Sequence, residues 1–250
     1  MSAFWDVQDF VKETNRVTTF PELNSLMESM SKTLGFDYFA LIHHVELVSP
    51  DVIDLENYPS LWREMIIERK YTSDDPILVA CEHTNVGFRW SDIHKWIALS
   101  KRQQEILDGA RAAGIGEGFT IPVHIPGEYA GSCSFGLRSN RKFNVKAMPA
   151  AQFVGCFAFE AARRVLNTQR FLSGKAIAPA PRLTPRQLDC VVLAAAGKSD
   201  WDVARLLGIS DHTVHQHIED AKRRYGVSTR LQLVVRALFD GQLTFRDIVH

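Results

Sequence analysis

Apolar residues recur at helical spacing in two stretches near the start of the chain, 4–11 and 20–34. In the second, Phe20, Leu23, Leu26, Met27, Met30 and Leu34 share one face, and Gly35 supplies a stop. Residues 36–48 then turn aromatic and β-branched, the composition of a strand. Helical patterns return at 60–68 and 100–113, the latter closed by Gly114. Two strand-like runs, 118–124 and 131–138, are joined by the turn-forming Pro126-Gly127-Glu128. A long helix is expected over 149–172, with Phe153, Phe157, Ala161 and Val165 as its inward stripe. Helices bracketing antiparallel strands predict an α-β-α sandwich.

The pattern breaks at 173–181, where two prolines and a glycine with little to bury read as a linker. It divides the chain into domains 1–172 and 182–250, an α+β organisation with a small all-α second domain. That second domain is expected to hold four helices with explicit caps. Thr184-Pro185-Arg186-Gln187 is a capping box with proline at the first helical position. Ser199 to Asp202 starts a second helix with Val203, Leu206 and Leu207 facing inward. Gly208-Ile209-Ser210 is a tight turn whose serine caps a third helix, 211–225, and Thr229-x-x-Gln232 caps a fourth.

The third helix carries the chemistry. Val214, Ile218, Ala221 and Tyr225 form one apolar stripe, and His212, His215, Gln216, Glu219 and Arg223 form the opposite one. Those side chains are donors and acceptors suited to base edges in a major groove. A helix, a tight glycine turn and a polar-faced second helix make a helix-turn-helix. Lys198, Arg205, His217, Arg224 and Arg230 flank it and suit phosphate contacts.

Composition narrows the class without naming it. The chain has 250 residues, 46% hydrophobic and 23% charged, which is an ordinary globular balance rather than a disordered or disulfide-stapled one. Its 29 basic and 29 acidic side chains cancel, so no global field points to nucleic acid. From Arg182 onward the balance is ten basic to eight acidic, too weak an excess to identify a DNA-binder by itself. Cys81, Cys133, Cys156 and Cys190 lie far apart with no C-x-x-C pair, as free thiols in a reducing cytoplasm would. The first residues show no basic stretch followed by an apolar run, and no segment approaches the length of a membrane span. A cytoplasmic protein with no membrane partner is expected.

Leu183-Thr184-Pro185-Arg186, Ala195-Ala196-Gly197-Lys198-Ser199, Ala204-x-x-Leu207-Gly208-Ile209-Ser210, Thr213-Val214-x-x-His217 and Gly226-Val227 together resemble the DNA-binding domain of the LuxR family. The chain departs from that pattern with Gln187 for a glutamate, Arg224-Tyr225 for lysine-leucine, and Trp201 where a small or basic residue is usual. Upstream, Tyr58-Pro59-x-x-Trp62, Asp75-Pro76, Trp90 and Gly114-x-x-x-Gly118-x-Thr120-x-Pro122 resemble the autoinducer-binding domain of quorum-sensing LuxR regulators. Asp75 stands thirteen positions after Trp62, and Trp90 fifteen positions after Asp75.

This resemblance implies a ligand-responsive transcriptional regulator that is not an enzyme, with an N-acyl or aroyl homoserine lactone as its small-molecule signal. It also implies binding to a double-stranded DNA operator as a homodimer, a possible contact with RNA polymerase, and no cofactor or metal. The resemblance assigns Asp75 to the amide N–H, which a carboxylate accepts in a charge-assisted bond. The Trp62 indole, a donor only, suits the lactone carbonyl. Tyr58 can donate to the acyl carbonyl with support from Thr120 or Ser134, and Trp90 and Phe88 can flank the ring. Leu41, Ile66, Ile77, Val79, Phe119 and Ile121 are expected as tail walls. DNA contact falls to Lys198, His212, Thr213, His215, Gln216, His217, Glu219, Arg223 and Arg224. Ile66 stands where the family usually has an aromatic, so an unusual acyl group, or a ligand outside the lactone class, stays open. No G-x-S-x-G elbow or H-x-H-x-D-H cluster supports a hydrolase. The adjacent His43 and His44 point to opposite faces of a strand and suit no metal. Residues 149–172 and 229–239 are the candidate dimer contacts.

Overall fold

A computed structural model describes residues 3–45, 52–174 and 181–248. The end of the expected first strand, 46–48, and most of the expected linker lie outside the described residues. The chain divides into two units, residues 1–124 with 129–177, and residues 178–250 with the turn 125–128.

In the first unit α1 (Ala3–Thr14) and α2 (Phe20–Leu34) precede a five-stranded antiparallel sheet of order β2-β1-β5-β4-β3. Its strands are β1 (Tyr38–His43), β2 (Asp54–Glu56), β3 (Phe88–Arg89), β4 (Ile115–Val123) and β5 (Gly131–Arg138). Between them lie α3 (Ser60–Arg69), α4 (Pro76–Cys81) and α5 (Lys101–Ala112), and α6 (Met148–Leu172) follows. One sheet face, with Phe39, Leu41, Phe119, Ile121, Cys133 and Phe135, packs with α1, α2 and α6 into the main core. Smaller apolar clusters built from α3, α4 and α5 involve Tyr38, Tyr58, Phe88, Trp90 and Ile115.

Several elements differ from their expected form for local reasons. β1 starts at Tyr38 rather than Phe36, because the Phe36 N–H bonds Ser31 O at 2.8 Å and so completes the exit from α2. β4 starts three residues early, at Ile115, and absorbs them in a register shift before Gly118. On α6 the expected stripe is displaced. Phe153 and Phe157 are 49% and 40% exposed, while Ala151, Val154, Ala158, Ala161, Ala162 and Val165 face inward. A Cβ at Gly155 would come within 2.9 Å of Ile121, so the helix lies too close to the sheet for rings to fit between them.

The second unit holds α7 (Pro185–Ala195), α8 (Asp200–Leu207), α9 (Asp211–Tyr225) and α10 (Arg230–Phe239), with a short α11 (Phe245–Ile248) beyond the four expected helices. Thr184, Ser199 and Thr229 each close a capping box, with Gln187, Asp202 and Gln232. Val191, Val203, Val214, Ile218, Leu233 and Ala237 build the core. Leu206 is 62% exposed, contrary to expectation. The inward face of α8 centres on Val203, Ala204 and Leu207, and Leu206 falls off its edge.

Candidate ligand cavity and DNA-reading helix

A cavity of about 660 Å³ lies in the first unit, within the range of small-molecule sites. Its floor is the second sheet face, through Ala40, Ile42 and Ser134. Its walls are Trp62, Arg63, Ile66 and Ile67 of α3, Ile77 and Leu78 of α4, and Ile106, Leu107 and Ala110 of α5. Tyr58, Asp75 and Trp90 complete it from the connecting segments. Pro59 opens α3 and Pro76 opens α4, which sets where Tyr58 and Asp75 leave regular structure.

Seven of the sequence-derived residues meet at this cavity: Tyr58, Trp62, Ile66, Asp75, Ile77, Trp90 and Ser134. Asp75 is also the N-cap of α4, its Oδ1 accepting the Ile77 N–H at 2.8 Å. Among the described residues the Trp62 indole has no hydrogen-bond partner, although the side chain is buried. Trp90 Nε1 donates to Thr120 Oγ1 at 2.8 Å, and Thr120 Oγ1 lies 2.8 Å from Ser134 Oγ. A Cβ at Gly118 would stand 2.5 Å from the Trp90 ring, so glycine is what lets the indole lie flat on β4.

Other expected wall residues do not reach the cavity. Thr120 is fully buried behind Ser134 and Trp90, and its part is to orient them. Phe88 packs with Ile77, Ala80, Cys81 and Ile93. Leu41, Phe119 and Ile121 belong to the opposite sheet face, because side chains alternate along a strand. Val79 lies outside the lining of the cavity. Sequence reasoning in turn missed the charged residues Asp54, Glu56, Arg63 and Lys70, which do line it. Arg63 directly follows Trp62 on α3, a proximity that could have flagged it. β2, with only three residues, leaves no periodicity to read.

In the second unit α8 and α9 are joined by Gly208, left-handed at φ 67°, and by Ser210, whose Oγ accepts the Thr213 N–H at 3.1 Å. Val214, Ile218 and Ala221 are buried, while His212, His215, Gln216 and Arg223 are exposed. Thr213, His217 and Glu219 are half-buried. Glu219 pairs with Lys222 at 2.7 Å, Arg223 with Asp220, and Arg230 with Asp200 at 2.6 Å. Arg224 donates to the Arg182 carbonyl at 2.8 Å. Lys198 is exposed at the start of α8, and Arg205 lies 4.7 Å over the Trp201 ring.

Residues 19–165 match the autoinducer binding domain family, and residues 181–237 match the bacterial regulatory proteins of the luxR family. This chain belongs to the LuxR family of transcriptional regulators. Its relative VanR of Vibrio anguillarum, a transcriptional activator protein, is 26% identical over 93% of this chain and 95% of its own length. SdiA of Escherichia coli shares the fold at a TM-score of 0.66 and 21% identity, over 97% of this chain and 100% of that one. SdiA in complex with octanoyl-rac-glycerol superposes at 0.63 with 21% identity, over 96% of each. CepR2 of Burkholderia cenocepacia, an N-acylhomoserine lactone dependent factor, superposes at 0.51 with 15% identity, over 68% of this chain and 98% of that one.

Two acids of the cavity, and His44 outside its lining, have shifted pKa values. Burial raises the Glu56 carboxyl to about 7 despite Arg63 beside it, and burial raises Asp75 to about 6. Burial lowers His44 to about 4, helped by His124 and His43. The two acids hold protons more tightly folded than unfolded. Their contribution to stability is therefore complete at low pH and lost as pH rises through about 6 and then 7. The buried neutral His44 has the opposite sign, its contribution being lost as pH falls from 6.5 toward 4. The expected melting temperature rises as pH falls from 8 to about 6.5, levels between about 6.5 and 6 where His44 offsets Glu56, and rises again toward pH 4.5, where the two acids outweigh the one histidine. Melts across this range test it, and Glu56→Gln should remove most of the rise above pH 6.5.

Proposed function

We propose that the regulator binds an N-acyl or aroyl homoserine lactone in this cavity and binds an operator as a homodimer. The carrying observation is the convergence of Asp75, Trp62, Tyr58 and Ser134 on one largely apolar cavity. That set offers one acceptor for an amide N–H and separate donors for two carbonyls. Residues 1–172 would form the signal domain, 173–181 the linker and 182–250 the DNA-binding domain. Phe153 and Phe157 on α6, and Leu231 and Val235 on α10, expose apolar surface that a second copy would cover. A two-fold dimer reads two half-sites one turn apart, which a single recognition helix cannot do. A cytoplasmic location fits free cysteines and a DNA target.

The test is a thermal-shift screen of acyl and aroyl homoserine lactones. A ligand at a hundredfold excess over Kd stabilises the native state by about 2.7 kcal/mol, a rise of several degrees in Tm. A flat response across the panel would end the lactone reading. Ile66 favours a second reading, a non-lactone small molecule, because it removes an aromatic from the wall where the family usually keeps one. The octanoyl-rac-glycerol bound by SdiA shows that a protein of this fold accepts such a molecule. A monoacylglycerol belongs in the same screen.

A further inference from the structure

Cross-strand register sets a row of side chains on the cavity face of the sheet. Thr120 pairs with Ser134, Ser134 with Ala40, and Ala40 with Glu56. Directly paired residues point to the same face, so Glu56 stands two strand spacings from Ser134, about 10 Å between Cα atoms. Only the methyl of Ala40 lies between them, which leaves the floor open. The Glu56 side chain is 12% exposed, and its Oε1 meets Arg63 Nε at 2.5 Å. Among the described residues Oε2 has no hydrogen-bond partner. A carboxylate brought into an apolar cavity with an oxygen unspent is costly unless something there donates to it. Ala40, Ile42, Ile66 and Ile67, which also line the cavity, supply no donor, and among the described residues the donors Tyr58, Lys70, Thr72 and Ser73 of the same lining do not bond that oxygen.

We infer that Glu56, held by Arg63, recognises a hydroxyl on the far part of the ligand's acyl group, so that the signal is a hydroxylated rather than a plain acyl or aroyl lactone. The inference rests on the lactone reading above, which places the acyl carbonyl at Tyr58 and Ser134. The tail then runs over Ala40 toward Glu56. Tyr58 is close enough to Glu56 and Asp75 for both to raise its own pKa, so both acids stand near that carbonyl site. A donor-free tail would leave Oε2 desolvated and unpaired, so the same group that selects a hydroxyl also rejects its absence.

The experiment is calorimetric titration of the full chain with a matched pair, para-hydroxycinnamoyl and cinnamoyl homoserine lactone. At pH 8, above the Glu56 carboxyl at about 7, the hydroxylated compound should bind about tenfold or more tightly, the value of a hydrogen bond to a charged group. Glu56→Leu should reduce that ratio to about one, chiefly by strengthening the plain compound. If that variant does not fold, Glu56→Gln should reduce the ratio several-fold while keeping the shape. Equal affinity of the two compounds for the unaltered chain would overturn the inference, as would a ratio that survives in Glu56→Leu. A Glu56→Gln effect equal on both compounds would make the pair with Arg63 merely structural, and overturn it also. If neither compound nor any lactone of the thermal screen binds, the lactone reading falls and this inference with it.

Discussion

Asp75→Asn should weaken lactone binding by about tenfold or more while leaving the unliganded fold nearly as stable. The two effects separate because Asp75 has two oxygens with two tasks. Oδ1 accepts the Ile77 N–H and caps α4. Asparagine caps helices about as well as aspartate, so its amide oxygen can keep that bond. The amide nitrogen then replaces the second oxygen of a residue that lines the cavity, and would oppose the ligand N–H donor with another donor. Losing a hydrogen bond to a charged group in a closed site costs about 1.5–3 kcal/mol. Asp75→Ala removes the cap as well and should lower stability by about 1 kcal/mol. Calorimetric affinities and melts of both variants make the check. A ligand affinity unchanged in Asp75→Asn would reduce this residue to its cap. With its carboxyl at about 6, acidification to pH 5 should weaken binding in the unaltered chain, since the protonated form loses the charged acceptor.

What could be read from the chain beforehand follows the range of the forces involved. The capping boxes at Thr184, Ser199 and Thr229 are local hydrogen-bond chemistry, and the helices begin at them as written. The antiparallel order of β1, β4 and β5 rests on strand runs of ordinary length. β2 and β3, with three and two residues, are held by neighbours rather than by their own pattern. The facing of β4 was not readable, because both sheet faces are covered and the run from Gly118 to Val123 is buried at nearly every position. Phe119 and Ile121 therefore read as pocket walls when they are core, and so does Leu41 in the buried run 39–41 of β1. On α6 a hydrophobicity rule puts phenylalanines inside, whereas close packing at Gly155 admits only small residues there. At the site, motif residues were legible through their spacing. Glu56 and Arg63 were not, because nothing local distinguishes a carboxylate that turns into a cavity, paired with a half-exposed arginine, from two surface charges.

The helix α9 should show two kinds of failure when its polar face is altered. Gln216 is exposed in the middle of the stripe opposite Val214 and Ile218, with both amide donors and its carbonyl available to a base edge. Gln216→Ala should cost about 1–3 kcal/mol at the specific operator and leave non-specific affinity nearly intact. Lys198 lies outside that stripe, exposed where α8 begins, and suits a phosphate. Lys198→Ala should weaken all sequences alike and reduce the salt slope by about one. Glu219 and Arg224 start from a different position, since each is already bonded within the domain, to Lys222 and to the Arg182 carbonyl. Each must give up that partner to meet DNA, so its net gain is smaller than that of Gln216, and Glu219→Ala should cost less. Arg224→Ala also unties Arg182 at the entry to α7, so its loss should appear in melts as well as in binding. Gel shifts across a salt series, with specific and scrambled duplexes, separate the classes. If operator affinity survives combined alanine substitution at 215, 216 and 219, another surface carries the sequence recognition.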